Sequence, residues 1–96
     1  MKRALRLQLY VAGESPNSVA AVRNLRALLA CHPAVEIELE IVDVLRHPER
    51  AAREGVLVTP TMVKLSPAPR RRVVGNLKDA DVLRSVLGLT EVPRGG

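Results

Sequence analysis

Residues 5–11 run Leu-Arg-Leu-Gln-Leu-Tyr-Val, apolar at every second position, which is the period of a strand with one covered face. The predicted strand ends at Gly13. Ser15 is a good N-cap, and Pro16 suits a first helical position, where its fixed φ fits and its missing N–H would be unpaired anyway. Val19, Val22, Leu25 and Leu29 then recur at helical spacing, predicting an amphipathic helix over 16–31 that Pro33 closes. Val35, Ile37, Leu39 and Ile41 alternate with Glu36, Glu38 and Glu40. This is a second strand with an acidic outer face, running on into the more continuously apolar 42–45. Strand, crossover helix and strand form a βαβ unit with a parallel pair.

In the second half, His47–Gly55 reads as a short helix with His47 as a capping or first-turn residue and Gly55 as its stop. Val56–Val58 leads through Thr59-Pro60-Thr61 into a strand over Met62–Leu65. Ser66–Arg72 reads as a turn, Val73–Gly75 as a short strand and Gly75-Asn76 as another turn. Residues 78–88 form a last helix with Val82, Leu83, Val86 and Leu87 inward. The predicted order is βαβαββα, an α/β, thioredoxin-like single domain over 1–96, with 1–3 and 91–96 expected to be flexible. Pro60 sits where that fold usually carries a cis-proline.

The 96 residues suffice for one two-layer core, and with Tyr10 as the sole aromatic that core must be aliphatic. No apolar run approaches the roughly 18 residues of a membrane span, and no signal-type segment follows Lys2 and Arg3, so a cytoplasmic protein without membrane contact is expected. The net charge of +5 is unevenly spread. Residues 35–45 hold four acids and no base, whereas 46–78 hold eight bases (Arg46, Arg50, Arg53, Lys64, Arg70, Arg71, Arg72, Lys78) against two acids. Such a block attracts nucleic acid or an acidic protein surface. One tyrosine is a poor supply of stacking groups, so nucleic acid is not expected and an acidic protein partner fits better. A plain solvated face is the competing reading.

Between the first strand and helix stands Ser15-Pro16-Asn17-Ser18, where thioredoxin-like proteins carry Cys-x-x-Cys. That chemistry needs a thiolate at a helix N-terminus and a second thiol to resolve the mixed disulfide, and a hydroxyl replaces neither. An activated serine would need a base beside it, and Glu14 is the sole neighbouring carboxylate; capping accounts for Ser15. A residual oxidoreductase would have to work through Cys31, at the far end of the helix beside His32, which reads as a structural thiol. No phosphate-binding loop and no metal-spaced Cys/His set occurs, so no catalytic residue, metal or cofactor is assigned.

Taken together, LQLYVAGESPNS, IVDVLRHPERA and VLVTPTMVKLSPAPRRRVVGNL resemble, in order and spacing, the KaiB family of circadian-clock proteins over about residues 5–77. The resemblance implies a binding protein rather than an enzyme. Its expected partners are a KaiC-type ATPase ring, with KaiA-like or SasA-type histidine-kinase proteins beside it. It also implies a metamorphic chain, whose ground state is ordered βαββααβ, is often a tetramer or dimer, and exchanges with the thioredoxin-like state. Position by position, Lys64, Arg71 and Arg72 match basic residues used toward the partner. Pro60, Pro67, Pro69 and Gly75 lie in the half that differs between the two folds. Glu38 and Glu40 replace a small residue and a lysine, Asn76 replaces an aspartate, and 77–92 aligns loosely. These departures point to a divergent member and favour the thioredoxin-like state. A stand-alone SasA-sensor-like module in a two-component or stress pathway is the alternative.

Overall fold

The computed structural model describes residues 3–89, in the order β1 (Arg3–Val11), α1 (Pro16–Ala30), β2 (Val35–Asp43), α2 (Pro48–Glu54), β3 (Thr61–Ser66), β4 (Arg71–Val74), α3 (Ala80–Leu87). This is the βαβαββα order, not βαββααβ. Of the ends expected to be flexible, 1–3 and 91–96, Arg3 opens β1 and the remainder lie outside the described residues. Four strands form one sheet ordered β2-β1-β3-β4. Central β1 pairs parallel with β2, from Arg3↔Val35 to Val11↔Asp43, and antiparallel with β3; β4 closes the other edge antiparallel to β3.

The alternation of β1 divides the core between two faces, because successive side chains point to opposite sides of a sheet. Leu5, Leu7, Leu9 and Val11 meet Ala21, Leu25 and Leu28 of α1 and Leu83 and Leu87 of α3. Tyr10 enters the opposite cluster, with Val42, Val63 and Ala51 of α2. On α1 the buried residues are Ser18, Ala21, Leu25 and Leu28, with Val22 and Leu29 partly buried against the same core; of the predicted row Val19 is the residue left exposed. The helix approaches the sheet on its small residues. On α3, likewise, Leu83 and Leu87 are buried while Val82 faces solvent.

The predicted turn over 66–72 is too long. β3 extends to Ser66 and β4 begins at Arg71, since the antiparallel register supplies Lys64↔Arg71 and Val63↔Arg72 as ladder partners. The Thr59–Pro60, Ser66–Pro67 and Ala68–Pro69 bonds are all cis. Pro60 is buried at the entry to β3, whereas Pro67 and Pro69 are exposed in the β3–β4 turn. Gly75 takes φ +115 and donates its N–H to the Pro60 carbonyl at 2.9 Å. Two residues on, Leu77 adopts φ +60, a left-handed conformation rare for a branched side chain. Its burial in the α1/α3 cluster and the Asn24 Nδ2–H bond to the Asn76 carbonyl, 2.9 Å, hold it there.

Candidate functional site

The loop entering α1 carries two hydroxyls in place of two thiols. Ser15 occupies the N-cap position, yet its side chain caps nothing. The Ser15 hydroxyl instead donates to Ser18 Oγ at 2.8 Å, and Ser18 Oγ also accepts the Ala12 N–H at 3.0 Å. With Pro16 removing one N–H, the helix end needs less capping, and the fully buried Ser18 is the stronger claim on Ser15. Asp43, at the end of β2, pins the same loop through Oδ1, which accepts the N–H groups of Gly13 and Leu45, both at 3.0 Å. Cys31 lies at the other end of α1, about 22 Å away along a 15-residue helix. It is exposed, with its Sγ 3.5 Å from the Ala27 carbonyl. Among the described residues no group of three or more His, Cys, Asp or Glu is placed to hold a metal ion.

A charged surface spreads over the α2 face of the sheet. The Tyr10 hydroxyl donates to Gln8 Oε1 at 2.8 Å, and Gln8 Nε2 donates to Glu40 Oε1 at 3.1 Å. Arg50 then clamps Glu40 with two bonds of 2.6 Å. Arg6 pairs with Glu38 at 2.9 Å. Glu38 and Glu40 are thus matched by basic and amide side chains, whereas Glu36 lies across from Ala4. His47 stands at the N-cap of α2 without capping it, its Nδ1 3.6 Å from Glu49.

The Arg50 guanidinium, helped by Gln8, holds the Glu40 carboxyl down to about 2, and burial together with Glu54 pushes the Tyr10 hydroxyl up. A depressed carboxyl contributes stability above its unfolded value of about 4.3, and that contribution disappears as pH falls through 2. Because half of the Glu40 side chain is exposed, solvent screening limits the effect to about 1 kcal/mol. Arg50→Met should return the Glu40 carboxyl toward about 4, read by carboxyl-carbon NMR titration. A midpoint staying near 2 would refute the clamp.

The three basic residues singled out in the sequence occupy different environments. Arg71 is exposed and has no ion pair among the described residues. Arg72 reaches back to the C-terminus of α2, donating to the Gly55 carbonyl at 3.0 Å, to the Glu54 carbonyl, and to the Glu54 carboxylate at 3.4 Å. Cations suit a helix C-terminus, whose last carbonyls lack helical partners. Arg70 adds a 2.7 Å bond to the same carboxylate, so the β3–β4 hairpin is tied to α2. Lys64 is 5% exposed and lies on the α1/α3 side with Met62, directly opposite Arg71 in the ladder. It is a buried cation, not part of the open surface. The clamp on Glu54 escaped the sequence reading because its members lie 16 to 18 residues apart and meet only once α2 and β4 are packed.

These features define a thioredoxin-type domain with hydroxyls at the helix entry where redox relatives place sulfur. The chain belongs to the KaiB family, whose KaiB domain matches residues 8–89. It is 41% identical over 83 residues to the circadian clock oscillator protein KaiB of Synechococcus sp. strain RCC307, covering 86% of this chain and 74% of that protein. Its likeness to the KaiB of Acaryochloris marina is equal in identity and covers 78% of that protein. Among solved structures, the N-terminal domain of Synechococcus elongatus SasA superposes with a TM-score of 0.75 at 32% identity, covering 95% of this chain and 90% of that one. Fasciola hepatica thioredoxin superposes with a TM-score of 0.70 at 25% identity, covering 91% and 81%.

Proposed function

We propose that the chain is a non-enzymatic cytoplasmic regulator that docks on a KaiC-type ATPase ring and modulates its cycle. The observation that carries this reading is the serine pair at the N-terminus of α1 in a chain of the KaiB family. The fold is that of thioredoxin, while the groups thioredoxin chemistry needs are replaced by ones that cannot supply it. Arg71 is the primary contact, exposed and without an ion pair among the described residues. Arg72 keeps 43% of its side chain exposed beside it, and Lys64 adds positive potential from beneath without touching the partner.

Size-exclusion co-elution with the host's KaiC-type ATPase, in ATP and after hours of incubation, tests the reading. Arg71→Glu should weaken co-elution at least tenfold, worth about 1.4 kcal/mol, with the unfolding midpoint unchanged. Arg72→Glu confounds contact with stability, because it sets a carboxylate against Glu54. Undiminished co-elution of Arg71→Glu would sink the site assignment. The likeness to the SasA domain favours a second reading, a stand-alone sensor-like module that engages a signalling kinase. Under that reading the wild-type chain does not co-elute with the ATPase.

A further inference from the structure

Strand β4 forms one edge of the sheet, and its pairing with β3 fixes which of its backbone groups are free. The Gly75 N–H bonds to the Pro60 carbonyl at 2.9 Å, and the register continues without a shift through Met62↔Val73 to Lys64↔Arg71. In an antiparallel ladder, bonded and non-bonded pairs alternate. Arg71, Val73 and Gly75 therefore turn their backbones toward β3, and the N–H and C=O groups of Arg72 and Val74 point away from the sheet. Among the described residues no further strand pairs with them. Such edges are usually blunted by a proline, a bulge or charge. This short strand has neither proline nor bulge, and charge guards it.

That charge has one sign. On the α2 face of the hairpin lies a cavity of about 260 Å³, lined by Val63, Arg70, Arg71, Arg72 and Glu54. Three arginines share this lining with one acid, and the Glu54 carboxylate is already bonded by Arg70 and Arg72. On the other face Arg71 and Lys64 lie opposite each other in the ladder, and neither has an ion pair among the described residues. Both faces of the edge are thus basic. Val74 is the apolar exception, 62% exposed and on the same face as Arg72. The strand is anchored by Arg72 on the C-terminus of α2 and by Gly75 on Pro60, so little ordering remains for a ligand to impose.

We propose that β4 receives an extended acidic segment of a partner protein as an added antiparallel strand. The segment exchanges backbone hydrogen bonds with Arg72 and Val74. An aliphatic residue lies beside Val74, and carboxylates lie beside Arg72 and Arg71. In such strand addition the main-chain bonds supply affinity, and side chains at alternate positions select the segment. The same charge repels basic segments and a second β4 edge. This rests on the reading of the chain as a docking protein and names the form in which a partner meets Arg71, a strand rather than a helix.

The test follows the amide NMR of the isotopically labelled chain titrated with three peptides: TVTEEET, its counterpart TVTKKKT, and TVTEEET N-methylated at its first glutamate. Antiparallel pairing sets the peptide valine beside Val74 and the first glutamate beside Arg72, where the methyl group removes a ladder donor. TVTEEET should shift the amides of Arg72 and Val74, slow their exchange with solvent, and bind at least tenfold more tightly than the other two. V74P, which removes an outward N–H and leaves the β3 ladder whole, should weaken it tenfold or more. The proposal is overturned by no β4-confined shifts up to about 1 mM peptide, by equal binding of the lysine peptide, or by undiminished binding of the N-methylated one. Shifts at β4 that grow with protein concentration alone would overturn it in favour of a second copy of the chain. Co-elution with the ATPase that is lost in Arg71→Glu but kept in V74P would overturn strand addition and leave the docking reading standing. A wild-type chain that binds TVTEEET through β4 but does not co-elute would remove that ATPase as partner and leave the strand site standing.

Discussion

The double substitution S15C/S18C should give the chain a dithiol–disulfide couple that its own loop does not supply. The two hydroxyl oxygens already stand 2.8 Å apart at the start of a 15-residue helix. A disulfide requires about 2.0 Å between sulfurs, a small further approach for side chains one helical turn apart. The partial positive charge of the helix N-terminus then lowers the pKa of the thiol at position 15 below its free value of about 8.5. Some stability is lost, because Ser18 is fully buried and its oxygen accepts the Ala12 N–H, for which sulfur is a weaker partner. That loss should be about 1 kcal/mol. In a Cys31→Ser background, thiol titration after mild oxidation should find no free thiol, and the reduced form should reduce oxidised glutathione. Two thiols remaining free after oxidation would show that the loop differs from redox relatives in more than its sulfur.

Leu25→Ala should cost about 3 kcal/mol, whereas Val19→Ala on the same helix should cost less than about 0.5. Leu25 is fully buried against the sheet, so its loss leaves a cavity that neighbouring side chains fill only in part. Val19, six residues earlier, is 48% exposed and leaves none. Since small domains hold only about 5–15 kcal/mol in total, the first change removes a large share of the margin. Urea denaturation followed by circular dichroism would read both, and similar costs for the two would mean that Val19 is also buried against the sheet.

That contrast also marks how far the sequence can be read. Strands β1 and β2 were legible because period-two alternation is a local property, and Pro16 and Gly55 punctuate α1 and α2 by their own backbone chemistry. The face of α1 was harder. Hydrophobicity favours Val19, but close approach to the sheet favours Ser18 and Ala21, and no local pattern encodes that distance. The arginine run read as a turn, yet Arg71 and Arg72 are strand residues because Lys64 and Val63 lie across from them. Lys64 looked like a surface cation and is buried, since β3 is covered on both faces. The serine pair was visible as residue types, while the 2.8 Å bond that turns Ser15 from capping toward Ser18 was not. The choice of Arg71 as a partner contact came from matching residues to a family, whereas its place at the start of β4 and the clamp beside it came from tertiary packing.

Strand β2 is nine residues long and pairs only with β1 among the described residues, so its outer backbone edge is open along its length. An unpaired edge of that kind is the usual starting point for strand-on-strand polymerisation. Glu36, Glu38 and Glu40 alternate along it, and two copies meeting edge to edge would bring six carboxylates together. Arg6 and Arg50 already hold two of the three on each copy, so such a contact would have to accommodate those ion pairs and the remaining Glu36 charges, which disfavours amyloid-like growth.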